Sequence, residues 1–174
     1  AVKKLLKHGV LPGRKVAVVG AAGGLGHYAV QLASAFGYDV IGIDLGEERL
    51  RFIESLGAHR ALDANDAQTV IEQEYGGVDA SLVFSARIAG FELGLRCLRR
   101  GGLFVAVGLP ATSEGNLQIN PFEFFFKDPT LVYSAVGNVQ DMRELVDLAA
   151  AGRVKSHIGR QGGRPPKHQQ SQQR

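Results

Sequence analysis

Cysteine occurs once, at Cys97, in a chain of 174 residues. One thiol excludes an intrachain disulfide and cannot build a thiolate cage around a metal, so a reducing, cytoplasmic setting is expected. Long hydrophobic runs are also missing. None reaches the roughly 18 residues that a bilayer-spanning helix needs, and no signal-peptide pattern opens the chain, so no membrane association is expected. The five histidines, His8, His27, His59, His157 and His168, are scattered rather than grouped. They offer no metal-ligand spacing, and no metal site is expected. No G-x-S-x-G surrounds Ser85, Ser113 or Ser134, and no Lys-Ser or Lys-Thr follows the glycine-rich run as a P-loop requires. Glu47 and Glu48 open a helix, where the dipole favours them without any catalytic task. No residue is assigned a catalytic role.

Acidic residues are missing from the last stretch, 159–174, which carries Arg160, Arg164, Lys167 and Arg174 and no hydrophobic side chain. Without it the formal charge falls from +3 to −1. The basic balance therefore belongs to a polar tail, expected to be disordered, while the remainder is nearly neutral. Lys3, Lys4, Lys7, Arg14 and Lys15 read as a solvated face, and no aromatic-and-basic groove accompanies them. Nucleic acid is not an expected partner.

What the chain does have is 45% hydrophobic residues, enough for one core, and 23 glycines placed at telling positions. The apolar run Val16-Ala17-Val18-Val19 leads into Gly20-Ala21-Ala22-Gly23-Gly24-Leu25-Gly26, and an amphipathic stretch from His27 to Phe36 follows. Strand, glycine turn and helix in that order make an anion cradle: glycine admits a pyrophosphate, and the helix's free N–H groups meet its charge. The spacing is not strict G-x-G-x-x-G, because the best register is Ala21-x-Gly23-x-x-Gly26. Asp44 ends the next apolar run, Val40 to Ile43. A carboxylate there accepts hydrogen bonds from ribose hydroxyls and repels a 2′-phosphate, which favours NAD over NADP.

Apolar runs and amphipathic segments alternate onward from this point. Helices are predicted near 1–8, 24–36, 47–56, 65–75, 88–98 and 141–151. Main strands are predicted near 16–20, 40–44, 60–62, 80–84, 103–107 and 131–136, with Gly101-Gly102 as the turn into the fifth. This order implies an α/β, doubly wound, six-stranded parallel sheet, a Rossmann fold, over residues 1–158. A brief extra strand is predicted near 117–119, followed by a short Phe-rich turn in which several of Phe122, Phe124, Phe125 and Phe126 are expected to cap the core, the alternative being an exposed docking surface. Cys97 reads as a small core residue and His27 as a helix-surface residue. The first helix starts without a capping residue, and the tail is compositionally foreign; both features suggest a cut chain.

The stretch from Leu11 to Ala33 closely resembles the cofactor-binding domain of zinc-dependent medium-chain alcohol dehydrogenases, nearest the tetrameric fungal and bacterial type. Val107-Gly108-Leu109-Pro110 and Ser134-Ala135-Val136-Gly137 extend the resemblance toward Ile158. It implies that Gly20, Gly23, Gly24 and Leu25 line the pyrophosphate and that Asp44 and Arg49 hold the adenosine ribose. Ser85 and Ala86 would lie under the adenine-ribose side, with Val107, Gly108, Leu109, Ser134, Ala135 and Val136 along the nicotinamide. Tyr133 and Val139 depart from the family's usual glycine and arginine. The resemblance further implies a zinc ion and an alcohol or aldehyde substrate held by a domain outside this chain, and a homo-oligomer paired through the strand near 131–136. By itself the fragment is expected to be inactive. Two alternatives stay open: an NADPH-dependent, zinc-free quinone or enoyl reductase domain, and a non-catalytic nucleotide-binding module.

Overall fold

The computed structural model describes residues 1–158; the tail expected at 159–174 lies outside the described residues. Among the described residues, six strands, β1 (Lys15–Val19), β2 (Asp39–Asp44), β3 (Arg60–Asp63), β4 (Val78–Val83), β5 (Leu98–Ala106) and β6 (Thr130–Tyr133), form one sheet in the order β3-β2-β1-β4-β5-β6. Every pairing is parallel. Parallel strands need crossovers, which bury both faces of the sheet. Among the described residues, seven α-helices accompany them: α1 (Val2–Lys7), α2 (Gly26–Ala35), α3 (Glu47–Ser55), α4 (Ala67–Tyr75), α5 (Ile88–Arg96), α6 (Pro121–Lys127) and α7 (Val139–Ala150). The predicted doubly wound fold is therefore the observed one.

Alternation along each strand divides the core. Val16, Val18, Val40, Leu82 and Val105 pack on one face with Leu5 of α1, Val30 of α2 and Ile53 of α3. Ala17, Val19, Ile41, Ile43 and Phe104 pack on the other with Ile71 of α4 and Phe91 of α5. A sheet apolar on both sides reads in sequence as continuous runs, which explains why these strands were legible. Cys97 is fully buried in the second core, as expected, and burial pushes its thiol up to about 12.

Three local expectations are corrected. Gly101-Gly102 is no turn before a strand: β5 begins at Leu98, pairs there with Val78, bulges, and resumes pairing at Leu103 opposite Ala80. Gly101 takes φ +70°, and the Arg99 guanidinium donates to the Asp79 carboxylate, fastening the bulge. The segment 117–119 is not a strand: it pairs with neither edge of the sheet, β3 nor β6. The Phe-rich turn is the helix α6, whose first turn is fixed by the Asn120 side chain accepting from the Phe122 amide and by Pro121. Of its phenylalanines only Phe124 packs on the core; Phe122, Phe125 and Phe126 are exposed.

Candidate functional site

Consecutive βα units run outward from β1 to β2 and β3 on one side, and the chain then crosses to β4, β5 and β6 on the other. The connections above β1 and β4 leave in opposite directions, so a crevice opens beyond their C-terminal ends. The carboxyl ends of five strands bring every sequence-predicted site residue to this edge of the sheet.

The turn after β1 is built by close approach. Gly20 takes φ +78°, and its amide and that of Ala21 both donate to the Ile43 carbonyl, at 2.9 and 3.1 Å. A Cβ on Gly26 would stand 2.0 Å from the Gly20 carbonyl oxygen, so only glycine lets α2 start this close to β1. A Cβ on Gly24 would meet nothing within 4 Å. Gly23, Gly24 and Leu25 are exposed, and among the described residues the amides of Gly24, Leu25 and Gly26 find no acceptor. Three orphan donors at a helix N-terminus form a site for negative charge.

Asp44 stands beside this turn and is buried, at 8% exposure. Its Oδ2 accepts from the Ala22 amide at 2.9 Å, and its Oδ1 accepts from the Leu45 amide at 2.9 Å and from Arg49 Nη1 at 2.8 Å. A carboxylate offers about four lone pairs, so these three bonds aim it and leave acceptor capacity on Oδ2. Arg49 is mostly exposed beyond its contact with Asp44. Sequence reading missed the next support, Asp63 at the end of β3, which accepts from the Asn65 and Gly46 amides. Those amides hold its carboxyl below the ordinary range and fix the loop that follows Asp44.

Across the crevice, the loops after β4 and β5 are knitted together. The Phe84 amide donates to the Val19 carbonyl, and the Val107 and Gly108 amides both donate to Val83. A Cβ on Gly108 would fall 1.9 Å from the Ser85 carbonyl oxygen, and one on Gly20 would fall 3.2 Å from the Ser85 nitrogen. Gly20, Ser85 and Gly108 thus converge at the floor. The Ser85 hydroxyl accepts from the Arg87 amide, shaping the turn through Ala86. Ser134 is buried and donates its amide to Ala106, whereas Leu109, Ala135 and Val136 stand exposed at the rim and are not drawn against the others. His27 corrects its expectation: it is buried, with Nδ1 3.1 Å from the Gly23 carbonyl. The signal was its i+4 spacing from a loop carbonyl, which a surface reading overlooks. Among the described residues no group of three His, Cys, Asp or Glu side chains lies close enough to hold a metal ion.

Comparison with known proteins places this geometry. A family model described as "Zinc-binding dehydrogenase" matches residues 24–151. An alcohol dehydrogenase of Geobacillus stearothermophilus is 38% identical over 158 residues, 90% of this chain and 46% of that protein. One from Moraxella sp. strain TAE123 is 37% identical over 143 residues, covering 81% and 41% of the two chains. The crystal structure of the alcohol dehydrogenase from the hyperthermophilic archaeon Aeropyrum pernix superposes with a TM-score of 0.78 at 33% identity, over 88% of this chain and 44% of that one. The chain thus spans less than half the length of the curated relatives it matches. With the family model matched over residues 24–151 and curated relatives at 37–38% identity along most of its length, the chain belongs to the zinc-binding dehydrogenase family.

Proposed function

We propose that residues 1–158 are the NAD-binding domain of an NAD-dependent alcohol dehydrogenase. One observation carries the reading: three amides at Gly24, Leu25 and Gly26 that have no acceptor among the described residues sit beside the oriented, partly unsatisfied carboxylate of Asp44. A diphosphate matches the amides, and a diol bearing no phosphate matches the carboxylate. Gly20, Gly23, Gly24 and Leu25 would cradle the pyrophosphate. Asp44 and Arg49 would hold the adenosine ribose, with Ser85 and Ala86 beneath it. Val107, Gly108, Leu109, Ser134, Ala135 and Val136 would border the nicotinamide. When bound, NAD supplies a hydride acceptor for the alcohol carbon. These residues would bind and orient it; a zinc ion and the alcohol or aldehyde would be held by chain outside this sequence.

The same reading includes pairing with a second copy through the outer edge of β6, where Leu131 and Tyr133 are exposed. It also includes a reducing cytoplasmic location, in which one buried thiol is ordinary. An NADPH-dependent reductase is disfavoured because a buried carboxylate at position 44 would face the 2′-phosphate.

Calorimetric titration of the full chain with NADH and NADPH tests the proposal. Weak NADH binding, weaker NADPH binding and no turnover of alcohols are expected. No heat with NADH, or a preference for NADPH, would overturn it.

A further inference from the structure

We propose that His27 is a positioning residue for the anion cradle, holding the Gly23–Gly24 peptide in the orientation that points its N–H at a bound diphosphate. The inference rests on the cofactor reading above. His27 lies one residue past Gly26, its ring buried between Tyr28, at a centroid separation of 4.0 Å, Phe52 at 6.4 Å and His157 at 6.0 Å. Nδ1 lies 3.1 Å from the Gly23 carbonyl oxygen, and Nε2 lies 3.5 Å from the His157 amide nitrogen.

The partners assign the tautomer. A carbonyl oxygen only accepts and an amide only donates, so the proton is on Nδ1 and the lone pair on Nε2. The Gly23 carbonyl then receives two donors, the ring and the His27 backbone amide at 3.0 Å. In a trans peptide C=O and N–H point in opposite directions, and no peptide bond here is cis. Pinning the Gly23 oxygen toward α2 therefore turns the Gly24 N–H the opposite way, and among the described residues that N–H finds no acceptor. A glycine pair has the most backbone freedom to lose on binding, and this bond removes part of it beforehand.

The far side of the ring is fixed by the segment after α7. Val154 is buried, and the Gln31 side chain both accepts from the Lys155 amide at 2.8 Å and donates to its carbonyl at 3.0 Å. The Tyr28 and Ser156 hydroxyls are also hydrogen-bonded. The 154–157 segment is thereby strapped to α2 and presents the His157 amide to Nε2.

Nitrogen-15 NMR of the wild-type full chain reads the tautomer directly, with Nδ1–H expected; an Nε2–H ring would overturn the proposal. Calorimetry then compares NADH binding in three variants. His27→Phe keeps the packing but not the donor and should weaken binding about five- to tenfold. His27→Asn places an amide N–H where Nδ1 stood and should restore affinity to within about twofold, while His27→Gln, which mimics Nε2, should not. The melting temperature of each variant separates a general loss of folding from a loss of cradle geometry. Should H27F not fold, the contrast between H27N and H27Q decides. If the wild type binds no NADH, the cofactor reading fails and takes this inference with it. If the wild type binds and H27F or H27Q binds equally well, this inference alone fails.

Discussion

Single residues at the crevice are constrained by neighbours as much as by any ligand. The resemblance assigns Gly108 to the nicotinamide, yet the Ser85 carbonyl alone would exclude a side chain there. Gly108→Ala and Gly26→Ala should each destabilise the chain by about 3 kcal/mol, the upper end for overpacking, because the obstruction is backbone that cannot rotate away. Gly24→Ala, which meets open space, should stay within about 0.5 kcal/mol. Urea unfolding of the three variants checks this, and a neutral Gly26→Ala would contradict the packing. The contrast marks what sequence can carry. The placement of Gly23 and Gly24 in the turn after β1 and of Asp44 at the end of β2 was legible because the strand, turn and strand-end spacing is local. That Gly20, Ser85 and Gly108 converge was not, since contact between residues so distant in the chain leaves no periodicity to read.

At the scale of elements, the strands that enter both cores were read within a few residues, because burial on two faces writes an unbroken apolar run. Where the rhythm loosened, reading failed for identifiable reasons. Asn120-Pro121 is a helix-start signal, but the phenylalanines behind it drew attention to burial instead of capping. The bulge in β5 was hidden because Gly101-Gly102 is also a good turn. Helix α7 shows how weakly an outer element is tied: Lys3 of α1 bridges Asp141 at 2.8 Å and Glu144 at 2.9 Å, all on the surface. Hydrogen bonds from Lys3 hold both carboxyls below their ordinary range, and they in turn raise the lysine. Carboxyls with lowered values stabilise the fold above their unfolded range and lose that contribution as pH falls through the lowered one. Lys3→Ala should therefore lower the melting temperature slightly at pH 7 in low salt, and the difference should fade on acidification below about pH 4 or in about 1 M salt. A pH-independent difference would mean that the lysine stem, not its charge, holds α7.

For the whole molecule, the asymmetry between the two sheet edges matters most. β3 is overlaid by α3 and by the Asp63 loop contacts, while β6 exposes Leu131 and Tyr133. Sedimentation of the full chain should find a dimer or larger assembly, and Tyr133→Lys should shift it toward monomer without lowering its melting temperature. A monomeric wild type would remove β6 as a subunit contact. The near-neutral charge of the body, with its basic excess at 159–174, was legible from composition alone. No helix among the described residues is long and apolar enough to cross a membrane.

The carbonyl of Ser85 occupying the place of a missing side chain at 108 has a mechanical meaning as well. Two loops locked by such an interlocking notch cannot slide past each other. Any breathing of the crevice must then be borne by its outer walls, with the floor beneath the switch point moving as one rigid plate.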